Sequence, residues 1–162
     1  MNLVMTTLGY AHSAISLVGI VSGFVVIFGM LDAKRLDGWT AVFLLTTVAT
    51  SVTGFLFPFG AVLPSHEIGI LSLVLLAIAI VALYIRHLAG AWRWIYVVCA
   101  LLAQYFNCFV LVVQLFRRVT ALQAIAPTQS EPPFAVAQLV VLLFFVWLGI
   151  RAVKRFHPAP VT

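Results

Sequence analysis

Two histidines raise the question of chemistry. His12 stands about one turn inside the first apolar run, and His66 stands beside Glu67 in LPSHEIG (63–69), where the third run begins. Counting along helices puts both at similar depth, the arrangement that two axial ligands of one haem need. The same pair can serve as head-group donors to a quinone. Plain helix packing is the leading account of His12, and Glu67 in a first helical turn suits the positive end of the helix dipole without any ligand. A closed zinc site takes four ligands, and no such cluster occurs, so no metal is expected.

A second polar set lies deeper. Gln104, Asn107, Leu111, Gln114 and Arg118 recur at three- and four-residue spacing, which places them on one helix face. Gln104 and Asn107 fall near the middle of their apolar run, where an amide needs a partner. Thr47, Thr50 and Ser51, in TTVATSVTG (46–54), can supply one across a helix–helix interface. Two alternatives stand beside that reading: a pocket or pathway wall, and a contact between copies of the chain. Ser16, Gly19 and Gly23 form a small-residue seam on the first run, suited to close approach by the Thr-rich one.

The elements that must position these residues follow from composition. The 162 residues are 64% hydrophobic and 8% charged, with mean hydropathy +1.19. A soluble domain carries about 25% charged residues, so lipid must be part of this chain's solvent. The net charge of +5 does not indicate nucleic acid, because the Lys and Arg residues sit between apolar runs and make no continuous basic face. Cys99 and Cys108 are nine residues apart on one predicted helix, on opposite faces, and no C-x-x-C occurs. H-E-x-x-H, G-x-S-x-G, a phosphate loop and a dinucleotide fingerprint are all missing, so no catalytic residues are expected.

Charges and turn residues divide the chain into five predicted transmembrane helices, 8–31, 39–57, 66–85, 94–116 and 134–150, in one all-α bundle. Met1–Thr7 holds no Lys or Arg, so the first run is expected to be a retained helix and not a cleaved signal. Asp37 and Ser65 are expected to cap the second and third helices. If DAKRLDG is inside, Lys34, Arg35, Arg86, Arg93, Arg151, Lys154 and Arg155 are inside with it, against Arg117 and Arg118 outside. Seven against two predicts an outer N-terminus and a cytoplasmic C-terminus. Trp39, Trp92, Trp94 and Trp147 fall at the same inner interface. In RRVTALQAIAPTQSEPPF (117–134), VTALQAIA reads as one or two interfacial helical turns and TQSEPP as a turn. The segment suits a re-entry loop, or a lid over an outer polar pocket that Glu67, Gln114 and Arg118 help to line.

KRLDGWTAVFLLTTVATSVTGFLFP, LPSHEIGI, HLAGAWRWIYV and APTQSEPPF together resemble an uncharacterised family of small multi-pass proteobacterial membrane proteins, from about Ala11 to Arg155. The resemblance implies a fold and a bacterial inner-membrane location, and no catalytic residues. A looser likeness, carried by His12 and His66 alone, is to membrane b-type cytochromes, which implies haem b. The expected function is therefore a non-catalytic accessory or structural membrane protein, acting through helix packing in the lipid bilayer, with itself or with a larger complex. A haem- or quinone-binding redox subunit is the alternative. A carrier for a small neutral solute, running past Gln104 and Asn107, is the third reading.

Overall fold

A computed structural model describes residues 3–57 and 64–158. Among them are six α-helices and no strand: α1 Leu3–Leu31, α2 Asp37–Gly54, α3 Pro64–Ile80, α4 Trp92–Arg118, α5 Thr120–Ile125 and α6 Pro132–Arg155. Helix is what apolar runs of this length must form in lipid, because it satisfies every backbone group within the segment. Four stretches are long and apolar enough to cross a membrane: Thr6–Leu31, Glu67–Ile85, Trp92–Arg118 and Pro132–Arg155. The α2 segment is not among them. Its 18 residues include Asp37 and six threonines and serines, which dilute its hydropathy.

The helix ends have local causes. α1 stops in a Schellman turn: the Lys34 amide donates to the Gly29 carbonyl at 2.8 Å and Ala33 to Met30 at 3.1 Å. Ala33 takes the left-handed position there, at φ 55°. Leu36 folds back over Gly29, where a Cβ would lie 2.7 Å from the Leu36 Cδ1. α3 loosens into a π-helical turn over Val81–Ile85, with Arg86 donating to Val81 at 2.8 Å and Leu88 to Ala82 at 2.9 Å. His87 and Leu88 both have positive φ, and the turn drives Leu88 into the core. α6 starts on Pro132 and Pro133, whose missing amide hydrogens cost nothing in a first turn.

Two expected caps are corrected. Asp37 is the first residue of α2, not the residue before it, and its carboxylate instead accepts from the Arg35 Nε at 2.6 Å. Ser65 lies inside α3, which already includes Pro64.

Successive long helices run in opposite directions. α1 packs on α2, α4 and α6, and α4 packs on α1, α3 and α6, so these two form the centre. Contacts at matching ends fix the register. At the end holding the α1–α2 and α3–α4 turns, Leu36 packs over Gly29 and the Arg93 Nη1 donates to the Phe156 carbonyl at 2.8 Å. At the other end His12 meets Thr53, and Phe55 packs on Gly69. α2 therefore runs alongside α1 from the turn to the level of His12, over ~27 Å for its 18 residues.

Small side chains occupy the buried crossings: Ala79 and Ala82 on α3, Ala100 and Ala103 on α4, Ala152 on α6. They let helices approach closely, which is how packing replaces the hydrophobic effect in lipid. The outward faces of α3 and α6 are apolar and exposed, with Ile70, Leu71 and Val74 on one and Leu139, Val140 and Leu143 on the other.

Candidate functional site: the polar seam of α1, α2 and α4

The seam begins where α1 carries no side chain. A Cβ on Gly19 would lie 3.2 Å from the Thr46 Oγ1 and 3.3 Å from the Thr47 Oγ1, so the threonines of α2 rest against bare α1 backbone. One turn on, Gly23 forms a notch that receives Gln104 of α4. A methyl on Gly23 would overlap that carboxamide: its nitrogen would be 2.9 Å away, and its carbon and oxygen closer still. The Gln104 Nε2 donates to the Ile20 carbonyl at 2.7 Å, and the residue is wholly buried. Its Oε1 finds no conventional donor. It occupies the place of the missing Gly23 side chain, where a Cα–H···O contact to glycine is the available substitute.

Asn107, one turn along α4, donates from Nδ2 to the Thr47 Oγ1 at 3.2 Å. Thr47 is also wholly buried. The expected bond between α4 and the Thr-rich helix thus forms at Asn107 and Thr47, while Gln104 turns to a backbone carbonyl of α1. Thr50 is half-buried with its hydroxyl oxygen unpartnered, and Ser51 is half-buried beside it. Gln114 and Arg118 share the Asn107 face but bond each other, Nε to Oε1 at 3.3 Å, at the exposed end of α4. They are not part of the seam.

His12 sits further along α1. Its Nδ1 is 2.9 Å from the Thr53 Oγ1, whose own proton goes to the Ala49 carbonyl at 2.7 Å. With that proton on Ala49, Thr53 accepts from Nδ1–H, the tautomer in which a neutral ring keeps Nε2 as a lone pair. The ring stands edge-on to Phe57, with centroids 5.3 Å apart, and its Cε1 approaches Gly54. His66 lies in the first turn of α3, but its side chain lies outside the described residues, so its pairing with His12 does too. Glu67 is exposed in that first turn.

Sequence reasoning did not single out Thr53 as the partner of His12. The spacing of Thr46, Thr50 and Thr53 along one face of α2 was the available signal. Nor did it identify the Ile20 carbonyl, which no residue type can mark. Gln138 of α6 adds one more interhelical bond, donating from Nε2 to the Phe109 carbonyl at 3.2 Å. Among the described residues no three His, Cys, Asp or Glu side chains gather where a metal ion could sit. Cys99 and Cys108 are buried free thiols.

Taken together, this is an all-helical protein with four helices suited to a membrane and a hydrogen-bonded polar seam inside. Comparison with protein-family models, with curated proteins and with solved structures finds no match for the chain.

Proposed function

We propose that the chain is a non-catalytic, multi-pass protein of the bacterial inner membrane, an accessory or structural subunit that works by helix packing. The observation that carries this reading is where the interior amides point. Gln104 and Asn107 bond α1 and α2, and the groove between them is filled by glycine backbone and threonine. A pathway for a neutral solute needs polar groups facing an open route. Here they face one another, which favours packing over transport.

The same reading makes α2 the fifth crossing. Its threonines lower its hydropathy, yet it starts at the α1–α2 turn and brings Thr53 to His12 in the N-terminal half of α1. With five crossings the termini lie on opposite sides. The excess of Lys and Arg at the α1–α2 and α3–α4 turns supports an outer N-terminus and a cytoplasmic C-terminus. A reporter pair fused at the two termini tests this: opposite compartments are expected, and a shared compartment refutes five crossings.

The function itself is tested by extracting the protein with its native lipids and recording its mass and optical spectrum. An assembly heavier than one chain, with no stoichiometric chromophore and no turnover, is expected. A bound cofactor at one per chain refutes it.

One observation favours the redox alternative. Thr53 faces Nδ1 of His12 at 2.9 Å, and in the Nδ1–H tautomer Nε2 is a lone-pair donor, which is how an outer hydrogen bond orients a metal-bound imidazole. His66 would supply the second axial ligand to haem b. A Soret band that disappears in both His12→Ala and His66→Ala would establish this reading, and a quinone co-extracted only with the unaltered protein would establish its quinone form. Absence of both ends it.

A further inference from the structure

The connection between α4 and α6 is firmly built. Gln129 takes a left-handed backbone, φ 61°, and its Nε2 reaches back to the Val113 carbonyl of α4 at 2.8 Å. Ala126 is fully buried beneath it. The Glu131 carboxylate gathers the loop: Oε1 accepts from the Thr128 amide at 3.1 Å and its hydroxyl at 2.8 Å, and Oε2 from the Ser130 amide at 3.1 Å.

This framework borders an open groove of about 480 Å³ lined by Phe116, Arg117, Gln123, Pro127, Thr128 and Gln129. Clefts of ~300–1,000 Å³ hold small ligands. The donors left over decide which kind. The Thr128 hydroxyl proton goes to Glu131, and one of the two Gln129 Nε2 protons goes to Val113. Gln123 retains its amide, and Arg117 its guanidinium fork. The neighbouring Arg118 is bonded to Gln114 instead. The ion pairs formed among the described residues, Lys34 with Asp32 and Arg35 with Asp37, are at the opposite end of the bundle and do not involve Arg117. A planar guanidinium without a carboxylate partner matches a phosphate oxygen pair. The short stretch that carries Gln123 also exposes the apolar Val119 and Ile125.

We propose that this groove binds a phosphate-ester anion through Arg117, and that the exposed apolar side chains beside Gln123 favour one carried on a lipid. The inference is independent of whether the bundle is structural or redox-active. The test is native mass spectrometry of the full chain in detergent, titrated with phosphatidylglycerol, with diacylglycerol of the same acyl chains, and with glycerol 3-phosphate. Phosphatidylglycerol is expected to bind at least tenfold more tightly than diacylglycerol. Arg117→Gln should remove that preference, while Arg118→Gln, of equal charge change, should leave it within twofold. Glycerol 3-phosphate should bind at least tenfold more weakly than the lipid. If it binds as tightly, and through Arg117, the ligand is a soluble phosphate ester and the lipid part of the proposal fails. Equal effects of the two Arg variants, or equal binding of diacylglycerol, overturn the site. Arg117 is exposed, so its variant should fold, and an unchanged thermal transition checks that.

Discussion

Gly23→Ala should be the most damaging single methyl addition in the bundle, and the reason is Gln104. The new Cβ would coincide with the carboxamide, so Gln104 must leave its notch. Leaving breaks the 2.7 Å bond to the Ile20 carbonyl and displaces a side chain that has no exposure at all. Overpacking of this kind costs about 1–3 kcal/mol. An interhelical hydrogen bond in a membrane protein adds about 0.6 kcal/mol on average, up to about 1.7. The sum is about 2–4 kcal/mol. Gln104→Ala alone loses the bond and opens a cavity, for about 1–3 kcal/mol. The informative variant is the pair together. The alanine methyl at 23 enters space that Gln104 vacates, so the double variant should be more stable than the sum of the singles by at least ~1 kcal/mol, a coupling expected only of groups in contact. Steric-trapping or reversible unfolding measurements in bicelles give the three values. Gly149→Ala is the control, since nothing lies within 4 Å of a Cβ there. Additivity within ~0.5 kcal/mol would refute the notch as the place where α1 and α4 lock.

Further outcomes follow from neighbouring contacts. Asn107→Leu should destabilise by about 1 kcal/mol and lose most of its effect in a Thr47→Val background, since the two changes remove the same bond; an unchanged cost in that background would show that Thr47 is not the partner. Ala33→Gly should stabilise by about 0.5–1 kcal/mol, because the residue already holds the left-handed position of the Schellman turn; a lower unfolding midpoint would count against that geometry. Desolvation pushes the Glu131 carboxyl up, but the Thr128 hydroxyl and the Thr128, Glu131 and Ser130 amides outweigh it and hold its pKa below the ordinary carboxylate range. The sign is that of a depressed acid: its stabilisation of the loop is present above the ordinary carboxylate pKa and lost as pH falls through the lowered folded value. Hydrogen exchange of the Thr128 and Ser130 amides, corrected for intrinsic rate, should therefore rise only at acid pH, and Glu131→Gln should abolish that dependence.

The helices were readable because lipid imposes one rule on every segment. Runs predicted at 8–31, 66–85, 94–116 and 134–150 correspond to α1, α3 with its π turn, α4 and α6, which mainly extend beyond the expected ends. Ends are harder than middles, since a helix continues past the apolar run as long as its backbone bonds are met. The seam was readable by type and not by partner. Gln104 and Asn107 had to bond something, and Thr47 was a candidate for its hydroxyl. The Ile20 carbonyl was not, because a backbone acceptor leaves no trace in residue identity. Gly19 and Gly23 both looked like contacts for α2, yet only Gly19 meets it. The two lie about 40° apart around the helix axis, enough to turn Gly23 towards α4.

The low hydropathy of α2 has a physical reason. A segment surrounded by lipid on most sides has only apolar choices, as α3 and α6 show with their exposed leucines, valines and isoleucines. α2 exposes Val42, Leu45 and Val52 too, and its inward face can still carry hydroxyls, because Thr and Ser return their protons to their own carbonyls. Thr46 does this to Val42 at 2.7 Å and Thr53 to Ala49 at 2.7 Å, and both then offer oxygen lone pairs to the neighbours. The low hydropathy of α2 is thus what a helix bonded to α1 and α4 should have. Replacing Thr46, Thr50 and Thr53 by valine would make α2 apolar enough to resemble its neighbours. It would also remove the acceptor for His12, and it should lower stability, not raise it.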